Sequence, residues 1–145
     1  MKYTHEIEIK LPRAKVIELF DSVENIPKWQ EGFQSFEHLS GEPGTVGAKS
    51  KLKYKMGKRE VEMIETITVS NFPNEFSAIY EAKNVWNEVK NYFTEVDEHS
   101  TKWTSECEFK FSGFMKIIGF VMPGAFKKES LKYLKCFKKF AESES

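Results

Sequence analysis

Between Ser35 and Phe111 five turn signals cut the chain into six runs of strand length: Gly41-Glu42-Pro43-Gly44, Met56-Gly57-Lys58, Asn71-Phe72-Pro73-Asn74, Lys83-Asn84 and Glu98-His99-Ser100. Connections this short cannot carry a crossover helix, so the runs must pair as antiparallel hairpins. Alternation leaves one covered and one wet face. Val61, Met63, Ile67 and Val69 share one side of their run, against Glu60, Glu62, Thr66 and Thr68. In the last run Trp103, Cys107, Phe109 and Phe111 oppose Lys102, Glu106, Glu108 and Lys110. A sheet patterned in this way needs a cover on one side only.

The two ends of the chain supply the rest. Tyr3, His5, Ile7 and Ile9 alternate with Thr4, Glu6, Glu8 and Lys10, which predicts a first strand. Pro12 suits the first turn of a short helix carrying Val16, Leu19, Phe20 and Val23, and Asn25, Ile26, Pro27 and Trp29 force a second short piece. From Phe126 to Ala141, a turn of about 100° per residue places Phe126, Ser130, Tyr133, Leu134, Phe137, Phe140 and Ala141 within an arc of about 120°. That stripe is the cover. Lys127, Lys128, Lys132, Lys135, Lys138 and Lys139 fill much of the other side, where a solvated face is expected and contact with an anionic membrane or acidic partner is the alternative. With 145 residues, 13 phenylalanines, 3 tryptophans and 5 tyrosines, the chain can build one core and no second one. A single α+β domain over residues 1–145 is expected.

Charge and motifs exclude several classes. Lysine plus arginine and aspartate plus glutamate both count 22, which argues against a nucleic-acid partner. Cys107 and Cys136 are too few for a disulfide framework and are expected reduced. His5, His38 and His99 fall on separate elements with no ligand spacing, so no metal is expected, and no glycine-rich loop follows the first strand, so no nucleotide or other cofactor is expected. The first ten residues lack the apolar core of a signal peptide, and a cytoplasmic location follows as an expectation. The apolar run Phe114–Phe126 is interrupted by Lys116, Gly119, Pro123 and Gly124 and is too short for a transmembrane segment. Its part from Phe114 to Met122 reads as the packed start of the final helix, with a mobile lid or a dimer contact as alternatives. Monomer and homodimer both remain open.

Particular segments sharpen the architecture. Asp21-Ser22-Val23-Glu24-Asn25-Ile26-Pro27-Lys28-Trp29, Leu39-Ser40-Gly41-Glu42-Pro43-Gly44-Thr45-Val46-Gly47, Val61-Glu62-Met63-Ile64-Glu65-Thr66-Ile67, Tyr92-Phe93-Thr94-Glu95-Val96, Ser100-Thr101-Lys102-Trp103 and Gly113-Phe114-Met115-Lys116 occur in order before the last helix. Together they resemble the SRPBCC superfamily, which includes START, polyketide cyclase/dehydrase and Bet v 1-like proteins. The resemblance covers nearly the whole chain. It implies a helix-grip fold: a curved seven-stranded antiparallel sheet, two short helices after strand 1, and a long C-terminal helix across the concave face. It also implies a cavity between sheet and helix for a hydrophobic or amphipathic small molecule. Relatives of this kind include carriers, cyclases, dehydratases and co-chaperones, so the fold alone does not select among them.

Strand parity then names the expected lining: Met63, Glu65, Ile67, Val69, Phe76, Tyr80, Asn91, Phe93, Trp103, Ser105, Phe109 and Phe111 from the sheet, with Met122, Phe126, Tyr133, Leu134 and Phe137 from the C-terminal segment. The same residues would form a plain core if sheet and helix closed completely. Glu65 falls between Met63 and Ile67, so an unbulged strand aims its carboxylate inward, where burial raises its pKa and suits it to acid-base work. Glu65 and His5 are the catalytic candidates should the protein be a cyclase or dehydratase acting without metal. The leading expectation is binding of an apolar or amphipathic small molecule without catalysis. An interaction module using the lysine side or the Phe114–Met122 run is the remaining alternative.

Overall fold

The computed structural model describes residues 1–144. Its seven strands are β1 (Lys2–Ile9), β2 (Phe33–Ser40), β3 (Lys49–Met56), β4 (Arg59–Asn71), β5 (Glu75–Ala82), β6 (Val85–Asp97) and β7 (Ser100–Phe111). They form one antiparallel sheet in the order β1-β7-β6-β5-β4-β3-β2. Strands β2 to β7 are a plain meander, as their short turns require, and β1 closes the far edge on β7. Between β1 and β2 lie α1 (Arg13–Phe20), a 3₁₀ turn (Val23–Asn25) and the single-turn α2 (Ile26–Trp29). After β7 come α3 (Phe114–Val121) and the long α4 (Pro123–Ser143). This is the helix-grip architecture.

Cross-strand partners share a face, so the register defines the concave side without ambiguity. Ile9, Ile7, His5 and Tyr3 of β1 oppose Thr101, Trp103, Ser105 and Cys107 of β7. Trp103, Ser105, Cys107 and, further along β7, Phe109 in turn align with Phe93, Asn91, Val89 and Asn87 of β6. Phe76, Ala78 and Tyr80 continue the face on β5, and Glu65 and Ile67 on β4.

A bulge after Ile67 corrects one expectation. Ile67 pairs with Ala78, yet Val69 pairs with Ser77, so Thr68 is the extra residue and Val69 turns to the convex face. The bulge lies beyond Glu65, which keeps the inward orientation that strand parity assigned to it.

The expected packed start of the final helix is also corrected. Pro123 has no amide hydrogen to continue a helix, and it drives the residue before it out of the α region. Met122 accordingly sits at φ −128° and ψ 52°, and α3 and α4 are separate helices. No residue of α3 is buried. The lysine side of α4 is solvated as expected, with Lys127, Lys128, Lys132, Lys135 and Lys139 exposed, and two of its lysines reach other elements: the Lys132 ammonium donates to Glu31 at 2.6 Å, and that of Lys138 donates to the Glu8 carbonyl at 2.7 Å. Both ties hold α4 to the body of the protein. No helix of the described residues is long and apolar enough to cross a membrane.

Candidate ligand-binding site

Sheet and α4 close on an aromatic cluster at one end. At the end carrying α1 and α2, Phe20 meets six aromatic rings, those of Trp29, Phe72, Phe76, Phe93, Trp103 and Phe137, at centroid distances of 5.0 to 6.4 Å. Most contacts are edge-to-face, the arrangement that ring quadrupoles favour. Ile9, Leu11, Val16, Leu19 and Leu134 complete this cluster. The Trp103 indole N–H donates to Asn91 Oδ1 at 2.9 Å, and the buried Thr101 hydroxyl donates to the Leu11 carbonyl at 2.8 Å. Phe76, Phe93, Trp103, Phe137 and Asn91, all expected to line a cavity, therefore belong to the packed end.

Toward the other end the same concave face is incompletely covered. Met63, Tyr80, Asn87, Val89, Phe109 and Phe111 are inward by register but only half-buried. Residues in the middle of a covered face retain accessible surface only where their neighbours leave space. Phe109, Phe111 and Phe126 make one wall: the first two rings stack at 5.6 Å, and Phe126 lies 5.2 and 5.0 Å from them. Met122 is not part of this wall. It occupies the break between α3 and α4 with 53% of its surface exposed.

Polar groups continue the same face from Phe109 across the sheet, in the row Asn87, Tyr80 and Glu65. Tyr80 lies directly across from Glu65, and its hydroxyl donates to Glu65 Oε2 at 2.8 Å. Burial pushes the Glu65 carboxyl above its ordinary range, with the Tyr80 hydrogen bond acting in the other direction. Burial likewise raises Tyr80, and the Glu65 charge raises it further. Tyr54, whose hydroxyl donates to Gln30 Oε1 at 2.6 Å, is raised first by burial and then by Tyr133 and Glu65. Tyr133 on α4 is pushed up to about 12, chiefly by burial. Asn87, opposite Tyr80 on β6, has a buried Oδ1 that no protein group bonds. Leaving such an acceptor unpaired is unfavourable, and a ligand donor would satisfy it.

Chemically, a protonated Glu65 offers an O–H to a carbonyl or hydroxyl, and an ionised one accepts from a donor. The phenols of Tyr80 and Tyr133 stay neutral across the ordinary pH range.

His5 and Ser105 stand on the β1–β7 side. His5 Nε2 is 2.9 Å from the Lys127 carbonyl, Ser105 lies 3.8 Å from the Cys107 sulfur, and the Tyr3 hydroxyl bonds Ser130. The structure thus separates the two catalytic candidates: Glu65 has Tyr80, while His5 holds the first turns of α4 to β1. Among the described residues no group of three or more histidine, cysteine, aspartate or glutamate side chains could hold a metal. Sequence reasoning missed Tyr54 and Asn87, although Asn87 shares strand parity with Asn91. Two open surface grooves of about 280 and 290 Å³ are present, the second reaching Phe111. One runs among Lys2, Glu88, Lys90, Glu106 and Glu108, the other among Glu81, Asn84, Trp86 and Lys110, and both are lined by charged groups.

A pH experiment reports on Glu65. The folded chain holds this proton to higher pH than the unfolded chain. Between the ordinary value of 4.5 and the raised one, the native state therefore binds more protons and loses stability as pH rises. Glu65→Gln removes that loss. Its unfolding free energy relative to the parent should grow from about pH 4 to about pH 7 in urea titrations. A difference that stays flat with pH would mean that Glu65 ionises as readily inside the fold as outside it.

No protein-family model matches the sequence, and no curated protein matches it. Solved structures do match. A conserved protein from Geobacillus kaustophilus superposes with a TM-score of 0.82 at 20% identity, covering 99% of this chain and 96% of the other. The Zhui aromatase/cyclase from Streptomyces sp. R1128 gives 0.80 at 12% identity over 98% and 93%. Norcoclaurine synthase from Thalictrum flavum, solved with dopamine and hydroxybenzaldehyde, gives 0.73 at 13% identity over 100% and 88%. The fold is therefore the helix-grip fold of these structures, shared over essentially the whole chain.

Proposed function

We propose that this protein binds an amphipathic small molecule with a flat apolar part, held between the sheet and α4. The apolar part lies against Phe109, Phe111 and Phe126, and the polar end meets Glu65, Tyr80 and Asn87. One observation carries the reading: away from the close-packed cluster, the half-buried rings of Phe109, Phe111 and Phe126 share the concave side with a buried Glu65 bonded to Tyr80 and with an Asn87 Oδ1 that no protein group bonds. Pockets for small molecules have this composition, mostly apolar with a few polar groups that fix orientation. The structurally similar norcoclaurine synthase was solved in complex with dopamine and hydroxybenzaldehyde, two small molecules with a flat ring and polar substituents. Titration with the neutral fluorophore N-phenyl-1-naphthylamine tests it. Saturable, one-to-one binding with a blue shift is expected, and a linear, unsaturable response would contradict the reading.

A second reading rests on the Glu65–Tyr80 pair. A carboxyl of raised pKa beside a phenol can move a proton to or from a bound carbonyl compound, the work of a cyclase or dehydratase. Such an enzyme would lose a bell-shaped pH profile of turnover in Glu65→Gln. Turnover with an unaltered profile would clear Glu65 of that role.

A further inference from the structure

α3 is an apolar helix that the fold seats on one side and leaves bare on the other. Its inner side packs so closely on β7 that a Cβ at Gly119 would come within 2.5 Å of the Phe111 ring. Its outer side exposes Phe114, Ile117, Phe120 and Val121, with Phe120 87% accessible. Their spacing aligns them along one face. Contiguous exposed apolar side chains of this kind mark a contact surface.

The charge around this face says what the contact is. Residues 109–128 contain four lysines, Lys110, Lys116, Lys127 and Lys128, and no aspartate or glutamate, in a chain whose acidic and basic residues balance overall. All four lysines are exposed. We propose that α3 and the first turn of α4 dock on an anionic lipid surface. The outer face of α3 sinks into the boundary between headgroups and acyl chains, and the lysines sit at the level of the phosphates. A second copy of the chain fits the face less well, because a two-fold contact through α3 would bring each cluster of lysines against its own copy. Docking turns the end of the grip where Phe111 lies beneath α3 toward the bilayer. Loading of the ligand from the membrane is the consequence that rests on the proposed function. Docking itself does not.

Co-sedimentation of the full chain with vesicles tests this, using phosphatidylcholine alone and phosphatidylcholine mixed with phosphatidylserine. Partitioning onto the anionic vesicles should exceed that onto the neutral ones by about tenfold and fall severalfold as salt rises. The double variant Ile117→Asp, Phe120→Asp should reduce binding to background, and Lys116→Glu with Lys128→Glu should do the same. All four substitutions fall on exposed side chains, and circular dichroism and the thermal midpoint verify that the fold is kept. Absence of binding to both vesicle types overturns the proposal. So does undiminished binding of the Ile117→Asp, Phe120→Asp variant. A dimer in light scattering that Phe120→Asp dissolves assigns the face to a second copy and overturns it as well. Probe titration in parallel separates the two claims: a protein that takes up the fluorophore but ignores vesicles refutes docking alone, and the reverse refutes the cavity alone.

Discussion

Phe137→Ala should destabilise the protein by about 3–5 kcal/mol, the largest single effect expected from a side-chain truncation here. Phe137 is fully buried on α4 and meets Phe20, Trp29, Trp103 and Phe140 at 5.1 to 6.2 Å. It is the point at which the C-terminal helix joins the β1–α1–α2 end of the sheet. Its removal would leave a cavity among rigid rings that have little freedom to collapse. For a domain of this size the thermal midpoint should fall by about 10 °C or more. A loss below about 1 kcal/mol would mean that the cluster around Phe20 is loosely packed.

At the other end the same kind of change should have the opposite signature. Phe109→Trp adds bulk to a side chain that keeps accessible surface beside Tyr3, Phe111 and Phe126, so folding should tolerate it to within about 1 kcal/mol. Binding of N-phenyl-1-naphthylamine should weaken by about tenfold or more, since the indole occupies volume the ligand needs. Stability and binding are read on the same preparation, one by urea unfolding and the other by fluorescence. Loss of both in equal measure would identify Phe109 as ordinary core.

Much of this architecture was legible because short turns and period-two alternation leave few alternatives. The five turn signals from Gly41 to Ser100 fall between the observed strands, and the stripe from Phe126 to Ala141 is the face that α4 turns to the sheet. Glu65 was legible for the same reason: side-chain direction in a regular strand follows from counting. Counting fails where the backbone departs from regularity, and Thr68 shows how. One extra residue in β4 sends Val69 to the convex face, and no residue type around it announces the bulge.

Helix seating was harder still. Phe114–Met122 is as apolar as any core segment, so composition favoured a buried helix, whereas Pro123 breaks the chain direction and leaves α3 outside. The division of the concave face into a packed and a half-covered end was not legible at all. It depends on how far Phe20 reaches across the sheet from α1, a tertiary contact that strand parity does not encode.

Native mass spectrometry of the protein purified from its own cells decides whether the grip holds a small amphipathic molecule at Phe109, Phe111 and Phe126. A population heavier than the bare chain by the mass of one small molecule is expected, and denaturation should release that molecule into the organic extract for identification. A spectrum showing only the bare chain, from a protein that also fails to take up N-phenyl-1-naphthylamine, would contradict this binding.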